Sequence, residues 1–338
     1  MLVNQLDFSS SALIQSKKVV KLNLQRVYRI CKDVIAHFIA MVFHPRVAKD
    51  KSYFRLWEKK GFHVTPVEYE EPIPYVASLK DNLWQKRSKL VGIDINEKGQ
   101  FELLSLFSSR FKEEYERLPR DRTSVPFQYY INNGYFECVD GQILYCMIRN
   151  FKPKRIFEIG SGNSTYLSAQ ALLMNKKENN QECELVAIDP YPNDVLCNGF
   201  PGLSKLIAQK VQDINLSEFN KLEENDILFI DSSHVLKIGS DVQYEFLEIL
   251  PRLKKGVIVH FHDIFLPAEY PRNWVLESFR FLNEQYLLQA FLAFNVNFQV
   301  LWAGSYMHLT YPEKLEEAFS AYRQNKGIPG SFWIRRIK

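Results

Sequence analysis

From residue 155 onward, short apolar runs alternate with helix-like segments, and this alternation constrains the fold more than any other feature of the chain. The runs are "RIFEIG" (155–160), "ELVAIDP" (184–190), "DILFID" (226–231), "GVIVHFHD" (256–263) and "FQVLWA" (298–303). They are nearly continuous in apolar residues instead of alternating polar with apolar, the pattern of strands covered on both faces. Between them, residues 164–175, 238–253 and 274–292 carry apolar positions at helical spacing, and "CVDGQILYCMIRNF" reads as a helix leading into the first strand. A helix to about residue 210 and a short strand in "KVQDI" (210–214) complete the series, with "FQVLWA" as its last strand and "PGSFW" (329–333) as a tail tucked onto the body. Strands alternating with helices predict a mostly parallel sheet with helices on both faces.

The N-terminal part is different. Residues 1–50 read as helical, 51–100 as irregular and proline-rich, and 100–118 as a charged helix; "PRDRTSVP" (119–126) marks the expected boundary between a region 1–125 and a domain 126–338. "ICKDVIAHFIAMVF" (30–43) contains Lys32, Asp33 and His37, too short and too charged to span a bilayer. It reads as an amphipathic helix packed on the body, so no stable membrane insertion is expected. The start of the chain lacks the pattern of a signal peptide. Five cysteines without a CxxC pair argue for a reducing compartment, and the cytoplasm is the expected location. At net charge +4, with basic residues in short groups such as Lys17-Lys18, Lys59-Lys60 and Arg335-Arg336, the chain shows no basic stripe for nucleic acid.

The segment "FEIGSGNST" (157–165) occupies a strand-to-helix turn, where such sheets bind ligands. Gly160 permits the tight turn and Gly162 the close approach of a ligand. The dinucleotide fingerprint asks for a third glycine where Thr165 stands. Glu158 precedes the loop and can hold an amino group, while Asp189, ending the second strand, can accept both hydroxyls of a ribose. An acid on each side of the glycines suits S-adenosylmethionine, which has a cationic amino-acid end and no pyrophosphate.

Together, "RIFEIGSGNSTYLSAQAL", "AIDPYP", "VQDI" and "DILFIDSSHVLKIGSDV…LPRLKKGVIVHFHDIFLPAEYP" resemble class I S-adenosylmethionine-dependent methyltransferases, of the branch with catechol-type and sugar O-methyltransferase relatives, over about residues 126–305. The resemblance implies a Rossmann-like, doubly wound α/β fold with a mostly parallel seven-stranded sheet and a mainly helical N-terminal extension. It assigns Glu158, Gly160, Ser161, Gly162 and Ser164 to the cofactor's first motif, Asp189 to its ribose, Asp213 to the neighbourhood of its adenine, and Asp231 to the cofactor side of the reaction centre. The extension would cap the substrate side or form a homodimer interface.

The resemblance places the fourth and fifth strands side by side, about 4.8 Å apart, which would bring Asp231 close to His262 and Asp263. Metal-dependent relatives end the fourth strand in an acid and the fifth in an acidic or amide pair. Asp231 and Asp263 match, but His262 stands where an acid is expected, so magnesium, a softer divalent ion and no metal all stay open. His234, three residues after Asp231 in "DSSH", matches the general base of the sugar-methylating relatives, an imidazole near its ordinary pKa. Strand alternation puts His260 on the face of His262, as core or support, and Asp263 on the other. Asp241 would cap its helix or anchor the His234 loop; Tyr270, Arg272 and Trp274 are candidates for the acceptor pocket, and "NEQYLLQAFLAFN" (283–295) reads as core. The expected function is methyl transfer to a hydroxyl of a small molecule or sugar. Its rivals are a nicotinamide (NAD(P)) oxidoreductase and a metal-dependent hydrolase or oxygenase using Asp231, His262 and Asp263.

Overall fold

The computed structural model describes residues 8–42 and 50–338 and divides into two compact units, Met1–Ser78 and Leu79–Lys338. In the first unit, helix α1 spans Phe8–Val42 and helix α2 spans Lys51–Lys59, where Asp50 caps α2 by accepting from the Ser52 amide at 2.8 Å. The described side chains from residue 25 to residue 41 are all exposed.

The second unit begins well before residue 126. Helix α3 (Glu97–Tyr115) buries Leu104, Phe107, Phe111 and Tyr115, a three-and-four spacing that lays one stripe into the same core as helix α4 (Asp140–Phe151). Arg149 of α4, 2% exposed, is held by Glu114 at 2.8 Å and by Glu178 at 2.6 Å. Breaking such a buried pair costs about 3–5 kcal/mol. The compact units therefore part at Ser78/Leu79 and not at the boundary read from "PRDRTSVP", because the polar face of α3 hides how much its apolar stripe contributes to the sheet's core.

Strands β1 (Arg155–Ile159), β2 (Glu184–Ile188), β3 (Lys205–Ile207), β4 (Ile227–Ile230), β5 (Ile258–Phe261), β6 (Phe298–Ala303) and β7 (Phe332–Arg336) form one sheet in the order β3-β2-β1-β4-β5-β7-β6. The first five are parallel; β7 runs antiparallel between β5 and β6. Alternate residues feed two cores, Ile156, Ile227, Phe229 and Ile258 into one and Phe157, Leu228, Ile230 and Val259 into the other. This is the α/β, mostly parallel sheet with helices on both faces that the alternation predicts, with the seven strands that the resemblance implies.

Four local expectations are corrected. "KVQDI" is a 3₁₀ turn, Val211–Asp213, and the third strand is the earlier Lys205–Ile207. The helix expected over 274–292 is two pieces, Arg272–Leu276 and α6 (Glu284–Leu292). "PGSFW" is the entry to β7, not a tail. The helix over 238–253 starts at Asp241 and passes through a π turn, Glu245–Ile249.

Candidate active site

Register places the site. Ile159 pairs with Ile230 and Ile230 with Phe261, so the next residues, Gly160, Asp231 and His262, line up at the carboxyl edge. The amides of Asp231 and His262 donate to Ile159 and Ile230 at 2.8 and 3.0 Å, fixing that row. Two residues deeper, Glu158, Phe229, His260 and Trp333 are paired across the sheet. His260 stacks on Phe229 at 3.9 Å and is wholly buried, and burial keeps its pKa well below the ordinary histidine value. It is a neutral core residue, as its depth in the strand suggested.

The turn after β1 leads into helix α5 (Asn163–Asn179). Gly160 has φ +86° and its Cβ position would lie 1.9 Å from the Asp231 carbonyl oxygen, so no other residue fits. A Cβ on Gly162 would meet nothing within 4 Å, leaving its backbone open to a ligand. Thr165 closes the loop from the helix side, its hydroxyl accepting from the Gly162 amide at 2.9 Å. Ser164 donates to Glu158 Oε1 at 2.6 Å, while Glu158 Oε2 is buried without a hydrogen-bond partner. Burial pushes the Glu158 carboxyl up to about 8. An orphaned buried carboxyl oxygen under a glycine loop suits a cationic amino group as its missing partner. Asp189, at the end of β2, accepts from Ser161 Oγ at 2.5 Å and from the Tyr191 amide at 2.7 Å. Asp213 is exposed on the turn beyond β3, and its neighbour Gln212 donates to Gly239 in the loop that follows His234.

Around Asp231 the structure gathers more than the sequence indicated. His234 Nε2 lies 3.2 Å from Asp231 Oδ1 and 3.7 Å from Asp263 Oδ2; its Nδ1 lies 2.8 Å from Glu284 Oε2. His262 Nδ1 lies 3.4 Å from Asp231 Oδ1 and 3.7 Å from Asp263 Oδ1, and its Nε2 is 3.7 Å from Asp140 Oδ2. Two conformations make this convergence: His234 and Asp263 both have left-handed backbones, φ +58° and +55°. Because β5 ends at Phe261, strand alternation no longer governs Asp263. Its carboxylate turns back to the His262 side instead of the opposite face.

Loop anchors hold His234. Asp241 accepts from the Ser233 amide at 2.9 Å and its hydroxyl at 2.6 Å, so it anchors the loop, while Ser240 caps the helix. The His234 carbonyl accepts from the Asn283 and Glu284 amides at the start of α6. Glu284 is wholly buried and was missed in the sequence, as was Asp140, which binds the Gly330 and Ser331 amides at 2.9 and 3.0 Å. Each acid opens a helix, where a carboxylate ordinarily just complements the helix dipole.

Burial alone would lower the His234 pKa, but hydrogen bonds with Asp231 and Glu284 overcome it and hold it well above the ordinary value. The imidazole is thus not near its unperturbed pKa. His262 follows the same balance, burial against the charges of Asp231 and Asp263. Burial would raise Asp231, yet the two histidines hold it well below the usual carboxylate range. Ring nitrogens of both histidines thus face the carboxylates of Asp231 and Asp263 at 3.2–3.7 Å. Among the described residues no group of three His, Cys, Asp or Glu side chains is disposed to hold a metal ion. The divalent ion considered at Asp231, His262 and Asp263 does not fit this arrangement.

Beside the cluster lies a cavity of about 480 Å³, reached by His262 and Asp263 and lined by Tyr135, Phe265, Arg272, Trp274 and Lys326. Arg280 stacks on Trp274 at 4.0 Å and reaches Asp263 Oδ2 at 3.4 Å. Tyr270 is buried, its hydroxyl accepting from the Gln285 amide, and stays outside the lining.

Comparison with known proteins matches residues 157–264 to a family described as "Methyltransferase domain". A protein from Archaeoglobus fulgidus described as uncharacterized is 33% identical over 201 residues, 56% of this chain and 89% of its own length. Among solved structures, apo CmcI is 14% identical with a TM-score of 0.35, over 67% of this chain and 84% of its own. The plantazolicin methyltransferase BamL is 14% identical with a TM-score of 0.34, over 72% and 97%. Structural likenesses this distant say nothing about the reaction.

Proposed function

We propose that the chain, whose residues 157–264 match a methyltransferase-domain family, is a class I S-adenosylmethionine-dependent methyltransferase that methylates a hydroxyl of a small molecule or sugar, with His234 removing the hydroxyl proton. The same match favours this reading over the oxidoreductase, hydrolase and oxygenase ones. The observation that carries the proposal is the fixed His234 ring: Glu284 holds Nδ1 at 2.8 Å, and Nε2 points at Asp231 Oδ1, 3.2 Å away, and Asp263 Oδ2, 3.7 Å away, with Asp263 itself lining the aromatic cavity. A histidine oriented through one nitrogen, with the other directed at the carboxylates of the site, is the arrangement of a positioned base.

On this reading Gly160, Ser161 and Gly162 give the cofactor its close approach, Glu158 Oε2 and Ser164 face its amino-acid end, Asp189 its ribose and Asp213 its adenine. The bound cofactor supplies a sulfonium methyl and leaves as S-adenosylhomocysteine. Asp231, once it faces that positive charge, stabilises the His234 imidazolium less, so the ring gives up its resting proton. Neutral Nε2 would then take the acceptor's hydroxyl proton as its oxygen accepts the sulfonium methyl that the bound cofactor would supply, the carbon–sulfur electron pair staying with sulfur. Tyr135, Phe265 and Trp274 would orient a ring-bearing acceptor, supplying rate by positioning. The account needs no divalent ion. Residues 79–125 belong to the body of this domain, and capping of the substrate side is assigned to the 326–330 and 265–274 loops that line the cavity.

A screen of alcohols, phenols, sugars, amines and carboxylates with methyl-labelled S-adenosylmethionine tests the reading. Label recovered as an O-methyl ether supports it; label recovered only on nitrogen or carbon overturns it.

A further inference from the structure

The first unit combines two properties that the active site leaves unused. None of its described side chains is buried, although it is rich in large apolar residues. Its charge is also lopsided: residues 1–78 hold twelve Lys and Arg against seven Asp and Glu, whereas the whole chain holds 43 against 39, so the excess of positive charge lies in this unit and the remainder is close to neutral.

Helix α1 sorts the two properties onto opposite sides. Val27, Ile30, Val34, Ile35, Phe38 and Met41 are each 53–80% exposed. At 3.6 residues per turn they fall within about 140° of arc, which the exposed Tyr28 and Ile39 widen to about 180°. Arg26, Arg29 and Lys32, all exposed, fall on the opposite side of the helix, with Asp33 as the acid among them. Among the described residues no helix is long and apolar enough to cross a membrane.

We propose that α1 lies along an anionic membrane surface, with its apolar face among the acyl chains and its arginines and lysine at the lipid phosphates. The charge sign selects the occupant. A helix seam between two copies is narrower and flanked by charges of both signs, whereas two copies of α1 would oppose like charges. Nucleic acid would satisfy the cations but leave the apolar face in water. An anionic bilayer surface satisfies both faces of one helix. This assignment is independent of the chemistry proposed for the active site.

The test is co-sedimentation of the full chain with vesicles of phosphatidylcholine alone or with a third phosphatidylserine. The anionic vesicles should bind roughly tenfold or more tightly, less so at high salt. The triple variant Arg26→Glu/Arg29→Glu/Lys32→Glu should lose that preference, and Val34→Glu/Phe38→Glu should lose binding altogether. These side chains are exposed, so unchanged circular dichroism and melting are expected in both variants. Absence of vesicle binding overturns the proposal, as does binding that survives Val34→Glu/Phe38→Glu. Concentration-dependent self-association or nucleic-acid binding without vesicle binding would assign the face to those partners instead.

Discussion

Replacing Gly160 with alanine strikes the point where the glycine loop, the proposed cofactor loop, meets the end of β4 at Asp231. The new Cβ would sit 1.9 Å from the Asp231 carbonyl oxygen, and ordinary contact begins at 3.4 Å, so the loop and the end of β4 must separate by about 1.5 Å. The φ of +86° adds about 1–2 kcal/mol for an L-residue in a left-handed conformation. Separation also strains the 2.8 Å bond from the Asp231 amide to Ile159, worth about 1 kcal/mol. The sum is about 2–3 kcal/mol, or roughly 5–10 °C in Tm for a domain of this size. Denaturant unfolding should show a lowered midpoint with unchanged slope, and calorimetry should show S-adenosylmethionine affinity falling at least tenfold. A variant that unfolds and binds like the wild type would refute the close approach of β1 and β4 and the role of this loop.

Glu284→Gln keeps size but removes the charge facing His234, a bond worth about 1.5–3 kcal/mol, so the His234 titration midpoint followed by NMR should fall by about one to two pH units. The sign is fixed by the raised pKa: the stabilisation tied to the His234 proton is complete below its unfolded value of about 6.5 and disappears as pH rises through the folded value. An unmoved midpoint would remove Glu284 from the account. Asp189→Asn should weaken S-adenosylmethionine binding about tenfold, a loss of ~1.4 kcal/mol, while leaving melting nearly unchanged; unaltered calorimetric affinity would place the ribose elsewhere. Prolonged chelation followed by a turnover assay should leave the rate unchanged, and activity restored only by an added divalent ion would reinstate a metal at Asp231, His262 and Asp263.

The parallel core of the sheet was legible in the sequence because β1, β2, β4 and β5 are buried on both faces and so read as apolar runs. Where burial is partial the signal fades. Strand β3 is three residues long and half-exposed, and β7 ends in Arg335 and Arg336, so neither stands out from a loop. The glycine loop, Asp189, Asp231 and His234 can be proposed from the sequence because their spacing is local. Glu284 lies 50 residues from His234, and only the folded chain joins them. Asp263 was assigned to the wrong face for a related reason: alternation holds only while the chain stays extended, and its φ of +55° departs from that at the residue in question. The positive charge of the first unit is legible in the sequence only once the unit is set apart from a nearly neutral remainder.

The most direct test pairs two readings on His234→Asn, binding of S-adenosylmethionine by calorimetry and transfer of its labelled methyl group to the best hydroxyl acceptor. The account predicts affinity within a few-fold of wild type and a transfer rate lower by about 10²–10⁴, the usual contribution of a positioned base. Equal transfer by variant and wild type would contradict it.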